Sequence, residues 1–176
     1  MKANVVLCLA LAWPVTAMAA PLSELDSSVV AHQHAVNQTE IEIGALATTH
    51  GGNAVKKFGA TLVKDHTQAD RDMTVFARTK GMAAIPSDAS QSDADKRDAA
   101  DTTARLRSEK GDDFDRDFLK LVASAHEREL VKIDADIGLV ADKNLVTLLK
   151  KIKPVLQTHA DTATSLQKTV TSSLEP

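Results

Sequence analysis

Apolar residues at helical spacing occupy most of the chain after residue 22, and this spacing excludes most folds. In residues 53–80, Val55, Phe58, Leu62 and Met73 return to one face when successive residues are turned by about 100°. The β-branched and aromatic runs typical of strands are scarce, aromatic residues make up only 3% of the chain, and tyrosine is absent. The sequence therefore predicts an all-α protein.

The order of the helices and their connections predicts the architecture. Four helices are predicted in one domain, residues 20–176, at about residues 23–49, 53–80, 113–141 and 143–170. Short connections within the first and the second pair predict two antiparallel hairpins. The crossover between the pairs, about residues 82–111, is polar and has room for a surface helix from Asp93 to Glu109. A crossover of this length permits a ferritin-like four-helix bundle with the second and third helices parallel, and an up-and-down bundle is the alternative.

The amino-terminal residues are expected to be a signal peptide. Lys2 precedes an apolar run, and Ala17 and Ala19 form a small-x-small cleavage pattern. We predict a signal peptide at residues 1–19 and an exported product, located in the periplasm or associated with the outer membrane. The apolar run is too short to span a bilayer comfortably, and no later stretch is continuously apolar, so no transmembrane segment is expected after cleavage.

Composition and motifs exclude several functions. The only cysteine, Cys8, lies in the predicted signal, so the mature chain has no disulfide and no thiolate metal site. A formal net charge of −3 without a basic cluster argues against nucleic acid as a partner, whereas an envelope protein partner stays open. No Ser-His-Asp order, glycine-rich phosphate loop or nucleophilic cysteine indicates an enzyme, so no catalytic residue is predicted.

Three histidines interrupt the apolar faces of the predicted helices. His66 falls inside the apolar stripe of the second helix, His159 lies at the centre of the stripe of the fourth, and His126 lies at the edge of the third. Each lies at a similar distance from the end of its helix, and a rise of about 1.5 Å per residue then brings all three to one level of the bundle. The sequence therefore predicts that the three rings converge.

Carboxylates are predicted beside these rings. Glu129 follows His126 by three residues and so lies next to it on the helix. Glu40 is the inward polar residue of the first helix, and His32 is the alternative at this position. Asp65 is expected to face water. The alternative is that it contacts a residue that binds a metal, without binding the metal itself.

Four segments together resemble a bacterial family, domain of unknown function 4142. They are TEIEIGALA, VKKFGATLVKDHTQAD, FDRDFLKLVASAHERELVKID and LLKKIKPVLQTHADTATSLQ. The resemblance extends from about Ser23 to Val170, and its most specific part is F-x-x-x-L-V-K-D-H-T-x-A around His66. The family belongs to the ferritin-like group, and its members typically carry a signal peptide and are often labelled as outer-membrane or exported proteins. The resemblance thus implies the fold and export, but no activity.

One feature of ferritin-like di-iron proteins is absent. Their sites use Glu-x-x-His on two helices, so that a bridging carboxylate lies one turn from each histidine. The residues three positions before the histidines are Val63, Ala123 and Leu156, which are all apolar. A bridged di-iron centre is therefore not expected.

Two functions agree with these residues. The first is an exported helical bundle of the cell envelope, a structural or interaction module whose His/Glu cluster is a hydrogen-bonded network. The alternative is a periplasmic metal-binding protein with a mononuclear site. Its candidate ligands are His66, His126, His159, Glu40 and Glu129, and this donor set suits zinc, copper or iron better than calcium or magnesium.

Overall fold

The protein is described here by a computed structural model that covers residues 21–174. The predicted signal peptide, residues 1–19, lies outside the described residues. The described residues form five helices: α1 (Glu24–His50), α2 (Asn53–Thr79), α3 (Asp93–Ser108), α4 (Gly111–Leu139) and α5 (Lys143–Leu174). No strand occurs within residues 21–174, which confirms the all-α prediction for this part of the chain.

The four long helices form a bundle of two hairpins, α1 with α2 and α4 with α5. At one end, the backbone N–H of Gly52, just before α2, donates to both carboxylate oxygens of Asp115 near the start of α4. At the other end, Asp26 at the start of α1 accepts from the backbone N–H groups of Ala141 and Asp142, which join α4 to α5. These contacts determine which helix ends lie together.

Two glycines allow α1 and α2 to approach closely. A Cβ added to Gly59 would lie 2.6 Å from the Gly44 carbonyl oxygen and 2.6 Å from the Ala47 Cβ, which is closer than packed atoms allow. The backbones of α1 and α2 therefore touch here without side chains between them. This contact brings the polar residues of α1 against the next turns of α2.

The core consists of two apolar clusters. The first, near the Gly52 end, contains Phe58, Leu62, Phe114 and Phe118 among others. The second, near the Asp142 end, consists of Val29, Val30, Met73, Phe76, Ala77, Ile133, Val140, Leu145, Leu149, Ile152 and Leu156. Buried polar residues separate the clusters along each long helix. The site described below lies in this polar layer.

The crossover contains the fifth helix, α3. Most of its side chains are exposed, but Leu106 is completely buried in the first apolar cluster. Ion pairs of Arg107 with Glu42 and of Arg105 with Asp117 attach the same end of α3 to α1 and α4. The crossover therefore lies against the bundle instead of extending into solvent. None of the described helices is long and apolar enough to cross a membrane.

We expect Asp26→Ala to lower the free energy of unfolding by about 1.5–3 kcal/mol, because the substitution leaves two backbone N–H groups without their charged acceptor. Asp112→Ala, in the exposed first turn of α4, is the matched control and should change it by less than about 0.5 kcal/mol. Urea denaturation followed by circular dichroism measures both. Equal effects of the two substitutions would show that the Asp26 contact does not hold the hairpins together.

Candidate metal centre

Three histidines from three helices meet in the polar layer between the apolar clusters. His66 comes from α2, His126 from α4 and His159 from α5, and each residue is at most 2% exposed. One ring nitrogen of each lies within 4.8 Å of those of the other two. The convergence predicted from helical spacing is therefore confirmed.

The nitrogens that face one another are close. His66 Nε2 lies 3.4 Å from His126 Nε2, and His159 Nδ1 lies 3.3 Å from the same His126 nitrogen. The ring centroids are 5.2–5.5 Å apart. His126 is thus the central member of the triad.

The outer nitrogen of each ring has its own oxygen partner. His126 Nδ1 donates to the Val122 carbonyl at 3.0 Å, one turn earlier in α4. His159 Nε2 donates to the Asp65 carboxylate at 3.2 Å, and His66 Nδ1 donates to the Asn37 side-chain oxygen at 2.9 Å. A backbone carbonyl or a carboxylate has only lone pairs for such a contact, so the hydrogens of His126 and His159 are on their outer nitrogens. The orientation of the Asn37 amide, which leaves its Nδ2 without a hydrogen-bond partner, places the hydrogen of His66 on Nδ1.

The inner nitrogens consequently carry lone pairs. A neutral imidazole has one N–H, and in each ring this N–H points away from the triad. The 3.3 Å contact between His126 Nε2 and His159 Nδ1 then joins two acceptors with no hydrogen between them. Three lone pairs converge on one buried point, which is an arrangement that a cation would stabilise.

Burial also keeps the triad uncharged. Desolvation lowers the pKa of His66 to about 2, helped by the proximity of His126 and His159. Desolvation, together with the proximity of His159, lowers the pKa of His126 to about 4. Desolvation likewise lowers the pKa of His159, although Asp65 acts in the opposite direction. Neutral imidazole is the form that binds metal ions.

Glu40 lies beside His126 but on its outer side. Its carboxylate oxygen is 3.7 Å from His126 Nδ1, the nitrogen that bonds to the Val122 carbonyl. Its other oxygen, Oε2, is buried without a hydrogen-bond partner. Desolvation and the charge of Glu129 raise the pKa of Glu40 to about 8. The structure therefore does not bring Glu40 to the inner nitrogens.

Glu129 and His32 belong to a separate network. His32 bonds through Nδ1 to Asp88 at 2.9 Å and through Nε2 to Glu129 at 3.0 Å, and Gln33 donates to the second Glu129 oxygen. Burial lowers the pKa of His32, but the hydrogen bond and charge of Glu129 and the hydrogen bond of Asp88 outweigh it, and the pKa is raised overall. This network joins α1, the crossover and α4. Neither residue reaches the triad.

Asn37 was not predicted as a site residue, and Asp65 was expected to face water. Asn37 is buried and belongs to a stripe of α1 with alternating spacings of three and four: Val30, Gln33, Asn37, Glu40, Gly44 and Ala47. This spacing, typical of closely packed helices, was a signal for Asn37 in the sequence. Asp65 is partly exposed, with 29% of its side chain accessible, yet it bonds to His159.

A surface groove between α2 and α5 leads towards the triad. Its volume is about 650 Å³, and its lining includes Asp65, His159, Thr61 and Thr158. The Asp65–His159 pair therefore lies between the groove and the inner nitrogens. An ion that reaches the inner nitrogens from this groove has to pass that pair.

The fold and the site together define the class of protein, a helical bundle with a buried triad of histidines. The family described as Domain of unknown function (DUF4142) matches residues 12–166, a range that contains all three histidines. The chain thus belongs to the DUF4142 family, which confirms the resemblance seen in the sequence. No curated protein and no solved structure matches the chain.

We expect chelator-treated protein to lose stability as the pH falls below about 6.5. The pKa of His66 is about 2 and that of His126 about 4 in the folded protein, whereas both are near 6.5 in an unfolded chain. The unfolded state therefore binds more protons between these limits. The free energy of unfolding should fall by about 1.4 kcal/mol per pH unit for each such histidine.

Urea denaturation at pH 7, 6 and 5 measures this slope. The variant His66→Gln has one such group fewer, so its slope should be shallower, and comparing it with the wild type cancels the contributions of other groups. Equal slopes for the two proteins would contradict the assignment of His66 as a buried neutral group.

Proposed function

We propose that this protein binds one divalent transition-metal ion through His66, His126 and His159. The observation that carries this proposal is the 3.3 Å contact between two inner nitrogens, His126 Nε2 and His159 Nδ1, whose rings donate their N–H groups outward. In a purely structural network, one of these rings would donate inward. The outer nitrogen of that ring would then have a lone pair and no hydrogen. Its contact with an oxygen that also has only lone pairs would be costly in a buried site.

The spacing of the inner nitrogens supports the same conclusion. Two imidazole nitrogens at about 2.0–2.1 Å from one tetrahedral ion are about 3.3 Å apart. The separations of His126 Nε2 from the other two inner nitrogens are 3.3 and 3.4 Å, and one ring nitrogen of each of the three histidines lies within 4.8 Å of the other two. The outer partners correspond to the oxygen groups that orient metal-bound histidines in proteins and select the ring nitrogen that binds.

The donor set indicates the type of ion. Imidazole nitrogens suit zinc, copper, nickel and iron, whereas calcium and magnesium prefer oxygen ligands. Glu40 and Glu129 contact other groups, so the triad alone is proposed as the ligand set. A bound ion would act as a Lewis acid and would link α2, α4 and α5. No step of catalysis is proposed.

We expect one equivalent of Zn²⁺ or Co²⁺ to bind after treatment with chelator, as measured by isothermal titration calorimetry at pH 7.5. Substituting any one of the three histidines by Ala should weaken binding at least about 100-fold, because a ligand is lost. Asp65→Ala should weaken it about 10–100-fold, because Asp65 orients His159. Because burial lowers the pKa of His66 to about 2 and that of His126 to about 4, binding by the folded protein should weaken only well below pH 6.5.

His34→Ala is the matched control, because His34 bonds to Asp70 outside the triad and is partly exposed. It should leave the affinity unchanged. The rival function is a structural or interaction module of the cell envelope in which the triad only stabilises the bundle. Wild-type protein that binds none of the metals, together with a His66→Ala variant destabilised by about 1–3 kcal/mol, would favour the rival.

We also propose that the fold is the ferritin-like bundle. The support comes from the helix ends: α2 starts beside the start of α4, and Lys80, just after α2, forms an ion pair with Asp142 before α5. This arrangement agrees with a second and a third long helix that are parallel and joined by a crossover.

We further propose export to the periplasm or the outer membrane. The charge of Lys2, the apolar run and the Ala17–Ala19 pattern support this proposal. The mature protein should begin at Ala20 when it is isolated from the periplasmic fraction, and intact-mass spectrometry would show this. A chain that retains Met1 in the membrane fraction would contradict the proposal.

A further inference from the structure

A cavity of about 530 Å³ lies between α1, α3 and α4, separate from the groove beside Asp65. This volume falls within the range of small-molecule binding sites, which is about 300–1,000 Å³. Val36, Ile43 and Leu121 provide an apolar wall, and Thr102 and Thr103 of α3 form the roof. The crossover helix therefore covers part of a space that the long helices leave open.

The sequence of α3 explains why this space persists. Ala99, Thr102, Thr103 and Leu106 follow the spacing of one helical face. Leu106 is fully buried and anchors the helix, whereas the three preceding residues are small. The roof is thus held in place at one end without its side chains filling the cavity.

Glu40 places an unpaired polar group beside the cavity. The residue is 5% exposed and lines the cavity, and its Oε2 is covered by the surrounding atoms and has no hydrogen-bond partner, so the side chain has to rotate for Oε2 to reach a molecule in the cavity. A buried carboxyl oxygen without a partner is unfavourable, so a molecule that pairs with it gains affinity. The charges around the cavity balance: Arg128, Lys132 and His32 are opposite in sign to Asp98, Glu129 and Asp88, the last of which bonds to His32. This balance favours a neutral molecule over an ion.

We propose that the cavity binds a small, neutral, mainly apolar molecule with one hydroxyl group, such as a phenol. A hydroxyl both donates and accepts a hydrogen bond, so it pairs with the Glu40 carboxyl whether or not that group carries a proton. The apolar wall accommodates the hydrocarbon part. His126 also lines the cavity, but it is the outer nitrogen, Nδ1, that lies beside Glu40, so the two proposed sites share one ring and no ligand atom.

Binding of 2-naphthol tests the proposal, with 2-methylnaphthalene as a probe of similar size that lacks the hydroxyl. Fluorescence titration of the full protein should show saturable binding of 2-naphthol, at least about fivefold tighter than binding of the hydrocarbon. Glu40→Leu should abolish this preference while the hydrocarbon still binds. Glu40→Gln, which keeps a donor and an acceptor, should retain most of the preference.

Filling the roof tests the location. The double substitution Thr102→Phe with Thr103→Phe should weaken binding of both probes at least about tenfold, because its rings occupy the cavity. Ala104→Phe, on the exposed face of the same helix, should change neither affinity. His66→Ala should remove metal binding but leave 2-naphthol binding intact, which separates the two proposals. Equal affinity for the two probes, or 2-naphthol binding that survives the double substitution, would overturn the proposal.

Discussion

The burial of three imidazole rings in one layer of the bundle is the constraint on which the rest of the structure depends. Each ring must keep a partner for its N–H, and the partners come from a backbone carbonyl, a side-chain amide and a carboxylate on three helices. The bonds of His66 to Asn37 and of His159 to Asp65 join different helices, so a helix that slid or turned by one residue would break them, whereas the bond of His126 lies within α4. The layer therefore determines the relative position of the helices more strictly than the two apolar clusters, which tolerate small shifts.

His126 is where the two halves of the polar layer meet. Its Nε2 faces His66 and His159, and its Nδ1 lies on the side of Glu40 and the α3 cavity. One ring thus separates a site made of nitrogen lone pairs from one made of a carboxyl group and apolar walls. The two environments suit different ligands, because lone pairs of imidazole attract a metal ion whereas the cavity has no excess charge.

The crossover contributes more than a connection between the hairpins. At one end Asp88 bonds to His32, which in turn bonds to Glu129 of α4, and at the other end Leu106 enters the core. Between these attachments α3 covers Glu40 and the adjacent wall. A long loop costs little more entropy than a short one, so a few buried contacts are enough to hold it against the bundle.

Helical periodicity by itself determined the all-α class, the inward direction of His66, His126 and His159, and their common level, because a regular rise and turn convert residue spacing into position. The sequence also excluded the Glu-x-x-His pattern of di-iron sites, since the residues three positions before the histidines, Val63, Ala123 and Leu156, are apolar.

Only the tertiary structure decided which side chains bond to the outer nitrogens of the triad. Glu40 and Glu129 point inward as the pattern indicates, yet Glu40 contacts the outer nitrogen of His126 and Glu129 bonds to His32. Asn37 and Asp65 take the supporting positions instead. The physical reason is that periodicity gives the direction of a side chain from its own helix, whereas its partner depends on the separation and register of two helices, which close packing at Gly44 and Gly59 sets.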